Sequence, residues 1–230
     1  VRSTVRSGSA LRTARVALCA LALLSAAIPA AAHVIDYELD PAPQGTVFLR
    51  YLKIGFEHIV PLGLDHILFI LCVAFLNAHL KKIILQATMF TLAHSLTLAL
   101  AASGVIEAPP FVEPLIAASI VFLAIENITT DTVKPWRLIL VFLFGLVHGL
   151  GFAGALSELG IPRHAFVSAL VAFNLGVEIG QLLIILAVYF LLARPFGDRP
   201  WFRRRIVIPV SAAIAAVALW WTVERIIAIT

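Results

Sequence analysis

Six apolar runs, each long enough or nearly long enough to cross a bilayer, constrain this chain more than any other feature. They fall at about 60–77, 83–104, 111–130, 137–157, 165–192 and 206–228, and a crossing needs roughly 20 consecutive apolar residues. In lipid every backbone amide must find its partner inside the protein, which leaves helices and closed barrels, and runs of this length select helices. The composition agrees, with 61% of residues hydrophobic and 13% charged, against roughly half and a quarter in a soluble domain. The expected fold is all-α, a polytopic transmembrane bundle of six helices in a domain covering residues 48–230, with short loops joining neighbours. A second, soluble domain has no room.

The chain opens with Arg2, Arg6, Arg12 and Arg15, continues with an apolar run from Val16 to Ile28, and reaches Pro29-Ala30-Ala31-Ala32. A basic start, a short apolar middle and an A-x-A end predict a cleavable signal peptide over residues 1–32. Residues 33–47, with Asp36, Glu38, Asp40, Pro41 and Pro43, read as an extended extracytoplasmic lead-in. Cleavage would make His33 the amino terminus, where a free amine and an imidazole can together chelate a divalent metal once deprotonated. His33 is thus a candidate capture residue, with Glu57 and His58 next along the chain to receive the ion. Of the two cysteines, Cys19 lies in the signal and Cys72 in the first span, which rules out a disulfide framework.

The formal charge of +4 does not point to nucleic acid, because the basic residues gather in the signal and in alternate loops. Loops after spans one, three and five carry Lys81-Lys82, Lys134 with Arg137, and Arg194, Arg199 and Arg203-Arg204-Arg205. The positive-inside rule then puts both mature ends outside, in a multi-pass protein of the bacterial cytoplasmic (inner) membrane surrounded by lipid.

Polar residues recur inside these spans, although an ionised group at a helix centre costs about 2.5–3.5 kcal/mol on insertion scales. Span one has Asp65-His66, span two His94 and Ser95, span three Ser119, Glu126 and Asn127, span four His148, and span five Asn174, Glu178 and Gln181. Asn174, Glu178 and Gln181 share one helical face, as do His94 with Thr91 and Ser119 with Glu126. The stripes are expected to converge inside the bundle. Small residues at four-residue spacing, Gly145 and Gly149 in span four and Gly176 and Gly180 in span five, allow close helix contact and predict that the His148 and Glu178 helices approach each other.

Pro61 and Gly63 predict a kink or helix start between His58 and Asp65, with His58 at the outer mouth and Asp65 and His66 forming the entrance. His94, His148 and Glu178, each near the middle of its span, are expected to meet near the midplane. Glu126, closer to the inner face, is read as an exit or proton group. Nitrogen and oxygen donors of this kind suit nickel, cobalt, zinc or cupric copper better than cuprous copper. The metal candidates read from the spans are therefore Asp65, His66, His94, His148 and Glu178, supported by Ser95, Ser119, Glu126, Asn127, Asn174 and Gln181.

The strings Gly55-Phe-Glu-His58, Gly63-Leu-Asp65-His66, Phe90-Thr-Leu-Ala-His94-Ser95, Phe144-Gly-Leu-Val-His148-Gly-Leu-Gly-Phe152 and Phe173-Asn174-Leu-Gly176-Val-Glu178-Ile-Gly180-Gln181 resemble the HupE/UreJ family of membrane proteins, in its second branch. The resemblance spans nearly the whole mature chain. It implies an accessory protein of nickel enzymes that acts as a nickel or cobalt permease, with His58, Asp65 and His66 as metal ligands and metalloenzyme maturation proteins as possible partners.

The leading functional expectation is a secondary permease for a divalent metal, since no phosphate-binding loop for nucleotide is present. Two alternatives stand beside it: an intramembrane zinc-dependent hydrolase, and a metal-delivery or assembly factor for a metalloenzyme. Gly-x-x-His in spans one and four and polar stripes in spans two and five also predict that the two halves are inverted repeats.

Overall fold

A computed structural model describes residues 43–76, 79–152, 154, 161 and 163–230. The expected signal peptide, His33 and residues 33–42 of the lead-in lie outside the described residues. Within them the chain is helical, with no strand.

The first helix, α1, runs from Gln44 to Ile59, so the last residues of the expected lead-in are helical. It buries Val47, Tyr51, Gly55 and Ile59 at four-residue spacing, while Lys53 and Glu57 pair at 3.7 Å on its exposed side. Those charges are why an apolar-run reading starts only at residue 60. The next helix, α2 (Leu64–Phe75), meets α1 at 67°. Pro61 has no N–H with which to continue α1, and a Cβ on Gly63 would collide with the His58 carbonyl, so the corner depends on both residues.

Three helices follow, α3 (Leu80–Ala102), α4 (Val112–Thr129) and α5 (Arg137–Gly151). The last two long helices are α6 (Phe166–Val188), which runs on through a wide π turn at Tyr189–Ala193 to Phe196, and α7 (Ile208–Ala228), preceded by a π turn at Arg203–Val207. Among the described residues four helices are long and apolar enough to cross a membrane, and α1 with α2 makes a fifth if the bent pair is one span. The 15 residues of α5 reach about 22 Å at 1.5 Å per residue, short of a hydrocarbon core of roughly 30 Å. Leu92, Leu96, Leu175, Leu183 and Leu219 are exposed, as suits surfaces that face lipid rather than water. The chain is a multi-pass membrane protein.

Glycines set the closest contacts. A Cβ on Gly55 would strike the Phe173 carbonyl and one on Gly176 the Leu52 carbonyl, so α1 and α6 pack backbone to backbone. In the same way Gly145 faces the Phe90 carbonyl and Gly149 the His94 carbonyl, which joins α5 to α3. The small residues therefore pair α5 with α3 and α6 with α1, rather than α5 with α6 as the spacing had led us to expect. Spacing identifies a smooth face without identifying what lies against it.

The contact registers also fix the helix directions. Gly55 lies by Phe173 and Ile59 by Gly180, so α1 and α6 run parallel. Gly145 by Phe90 and Gly149 by His94 make α3 and α5 parallel too. Arg203 bonds the carbonyl of Asn127 while Arg225 pairs with Glu113, so α4 and α7 are antiparallel. Exchanging the first three spans with the last three turns the α1–α6 pair into the α5–α3 pair and returns α4–α7 to itself. That pairing is the form an inverted repeat requires.

Candidate metal site

The corner after α1 brings His58, in the last turn of α1, against His66, in the first turn of α2, with ring centroids 4.6 Å apart. His94 joins them from α3 at 5.8 Å from His66 and 6.0 Å from His58. One ligand nitrogen from each of the three lies within 4.8 Å of the others. Nitrogens on a single metal ion, with bonds of about 2.0–2.1 Å, sit roughly 3–3.5 Å apart, so rotation of the rings by about an ångström closes the group.

Nitrogens of these imidazoles are buried without being used. His58 Nε2, His66 Nε2 and both nitrogens of His94 have no hydrogen-bond partner. Buried polar atoms are ordinarily paired, so unpaired nitrogens on three converging rings make this cluster the candidate site. Phe90, Phe152 and Phe173 stand against the rings, the tightest approach being Phe152 to His58 at 4.0 Å. This aromatic wall keeps the local dielectric low and strengthens any charge–dipole contact within it.

His148, on α5, lies 5.1 Å from His66. Its Nε2 is 3.0 Å from the Ser119 hydroxyl, and its Nδ1 is unpartnered. His66 is thus flanked by all three other rings. His58 belongs to this cluster because the chain turns at Pro61, where a straight helix would have left the ring behind.

The carboxylates take other places. Asp65 turns to α7 and receives Arg225 at 2.9 and 3.1 Å, and Arg225 also reaches Glu113 at 3.4 Å. Adjacent residues on a helix point about 100° apart, so Asp65 cannot follow His66 into the cluster once α2 is a separate helix. Glu178 accepts from Thr88 at 2.8 Å and leaves Oε2 unpartnered. It sits one turn beyond Asn174, which faces His94 without meeting hydrogen-bond geometry. The expected meeting of His94, His148 and Glu178 therefore resolves into imidazoles together and the carboxylate one turn along α6.

Gln181 continues the α6 stripe, fully buried, with neither amide atom paired. Ser95 bonds its own helix at the Thr91 carbonyl. Glu126 and Asn127 belong to a different assembly, around Arg137. That guanidinium is wholly buried and donates to Gln86, Glu126, Asn127 and the Cys72 carbonyl, tying α2, α3, α4 and α5. Glu126 is accordingly half of a buried ion pair. Arg137 and Arg225 centre these ionic groups, and neither stood out in the sequence: Arg137 reads there as a loop cation, and Arg225 is not singled out. The signal available was an arginine at the start of the fourth apolar run, in Arg137, and one within the last run beside Glu224, in Arg225.

Comparison with known proteins adds one finding. The model of the family described as HupE / UreJ protein matches residues 36–225 of the chain. No curated protein and no solved structure matches it.

Proposed function

The chain belongs to the HupE/UreJ family, and from that premise we propose that it is a secondary permease for a divalent transition metal, nickel or cobalt, that passes through a site lined by His58, His66 and His94. The observation that carries this reading is the convergence of one ligand nitrogen from each of three imidazoles within 4.8 Å, with His58 Nε2, His66 Nε2 and both His94 nitrogens buried and unpaired. Neutral imidazole suits nickel, cobalt, zinc and cupric copper, and carboxylates outside the ligand group leave the metal's charge spread over neutral donors. Weak, stepwise ligation serves passage better than a closed cage, because an ion must also leave.

The path this reading assigns runs from the cluster along the unpaired atoms of α6, Asn174 Oδ1, Glu178 Oε2 and the Gln181 amide. Counting the bent pair α1–α2 and the short α5 as crossings gives six, and the alternating helix directions are compatible with that count. Both mature ends then lie outside, with the arginine-rich turn between α6 and α7 inside.

The test is uptake of nickel or cobalt into sealed vesicles containing only this protein, compared with His66→Ala. Uptake that saturates and is lost in the variant supports the permease. Binding without transport points to a metal-delivery factor. A second reading, an intramembrane zinc-dependent hydrolase, draws on the Ser119–His148 contact, which has the form of a nucleophile beside its base. It is the weaker of the two, since no carboxylate bonds His148 among the described residues and Ser119 is 2% exposed. Hydrolysis of an added lipid or peptide by the purified protein would favour it.

A further inference from the structure

Ser119 on α4 makes two contacts with one hydroxyl. It donates to the Ile116 carbonyl at 2.7 Å and meets His148 Nε2 at 3.0 Å. A hydroxyl has a single hydrogen. With that hydrogen on the Ile116 carbonyl, the bond to His148 forms only if Nε2 carries the ring proton and donates it to Ser119 Oγ. In the converse arrangement Ser119 donates to Nε2, the Ile116 bond is lost, and the ring proton sits on Nδ1, an atom with no partner. The first arrangement makes one more hydrogen bond and strands no donor in an apolar wall, so it prevails. Nδ1 of His148 then carries a free lone pair, on a ring whose centroid is 5.1 Å from that of His66 and 5.0 Å from those of Phe69 and Phe90.

We infer that Ser119 is a positioning residue for metal passage: by holding His148 as its Nε2–H tautomer it makes Nδ1 a second ligand position, next to the His58–His66–His94 group and sharing His66 with it. This rests on the reading of that group as the place where the metal binds. Imidazoles that bind metals have their other nitrogen fixed by an outer hydrogen bond, which sets both tautomer and ring angle, and Ser119 supplies that bond here. The opposite tautomer would present an N–H to the ion and repel it. With the tautomer fixed, an ion on the first three rings has a vacant donor within one step, and His66 need never release it during the move.

The experiment uses the full chain, purified in detergent and in sealed vesicles, with Co²⁺ as probe because its visible spectrum reports ligand number. In wild type without metal, ¹⁵N-histidine spectra, with the His148 signal assigned by its loss in His148→Ala, are expected to show the Nε2–H form. Ser119→Ala is expected to mix the tautomers, to leave Co²⁺ binding close to wild type, and to lower uptake roughly 10-fold or more. Ser119→Thr, which keeps the hydroxyl, restores uptake. An Nδ1–H or imidazolium signal at His148 in wild type overturns the inference, and this arm reads the tautomer in the wild-type protein itself, His148→Ala serving only to assign the signal. So does unchanged uptake in Ser119→Ala, or loss of Co²⁺ binding in His148→Ala as complete as in His58→Ala, which would make all four rings one site. If wild type binds no Co²⁺, the metal reading itself fails and takes this role with it, a result separate from normal Co²⁺ uptake with the wrong tautomer.

Discussion

Two buried polar clusters in this bundle are built on opposite terms. Around Arg137 the guanidinium nitrogens are all bonded, to Gln86, Glu126, Asn127 and the Cys72 carbonyl, and of the group only Glu126 Oε1 is left over. Around His66 the imidazoles lie against one another and against phenylalanines, with His58 Nε2, His66 Nε2, His94 Nδ1 and Nε2, and His148 Nδ1 unpaired. A satisfied network fastens helices together. An unsatisfied one costs stability, roughly 1–3 kcal/mol for each stranded group, and persists in a folded protein when another species completes it.

The largest expected effect comes from removing the centre of the satisfied cluster. Arg137→Ala leaves Glu126 buried and uncompensated, and loss of one partner of a buried ion pair costs about 3–5 kcal/mol. Thermal unfolding in detergent should show a drop of that order. Restoring most of it with the double variant Arg137→Met/Glu126→Gln would confirm that the stranded charge, more than the lost bonds, is responsible. A midpoint unmoved by Arg137→Ala would erase the distinction between the two clusters.

The unsatisfied cluster should respond in the opposite sense. His94→Leu removes two orphaned nitrogens from an apolar wall, so stability is expected to hold or rise, while metal affinity falls by at least about 100-fold, beyond what loss of a supporting bond does. Titration with Co²⁺ and a melting curve on the same sample read both. Lower stability with metal binding intact would make His94 an ordinary core residue.

Close packing ties the clusters to the helices. Gly149→Ala sets a methyl against the His94 carbonyl and the Thr97 hydroxyl, and overpacking of that kind costs about 1–3 kcal/mol. Because the collision is at His94 itself, metal affinity should fall along with the melting midpoint. Gly104→Ala, where a Cβ meets nothing but φ is +76°, should lower stability through backbone strain and leave metal affinity unchanged.

The smallest effect is expected at the partly exposed pair of Asp65 and Arg225, whose side chains are 25% and 24% exposed. Solvent screening holds such pairs to roughly 0.2–1 kcal/mol. A double-mutant cycle with Asp65→Asn and Arg225→Gln measures the coupling. A ligand role for Asp65 would show as a loss of metal binding in Asp65→Asn comparable to that of His66→Ala.

The sequence by itself determined the solvent and the polar cast. Apolar runs spaced along the chain can satisfy their backbone in lipid only as helices, and α3, α4, α6 and α7 fall close to where those runs lie. The same logic flags every histidine in them, since an imidazole in hydrocarbon needs a reason to be there. Pro61 and Gly63 announce the break in span one for an equally local reason, a missing N–H and a missing side chain. The tertiary structure alone decided which polar groups meet. Whether Asp65 or His66 enters the cluster depends on the angle at which α2 leaves α1, and a 67° corner is set by what α1 and α2 pack against. Glycine stripes look alike in sequence, yet those of α5 close on α3 and those of α6 on α1, because a smooth face has no information about its partner until the helix directions are settled. Arg137 reads as a loop charge until four helices converge on it. Lipid solvation is a property of each segment, whereas hydrogen-bond satisfaction belongs to the assembled bundle, and the second is what separates the fastening from the site.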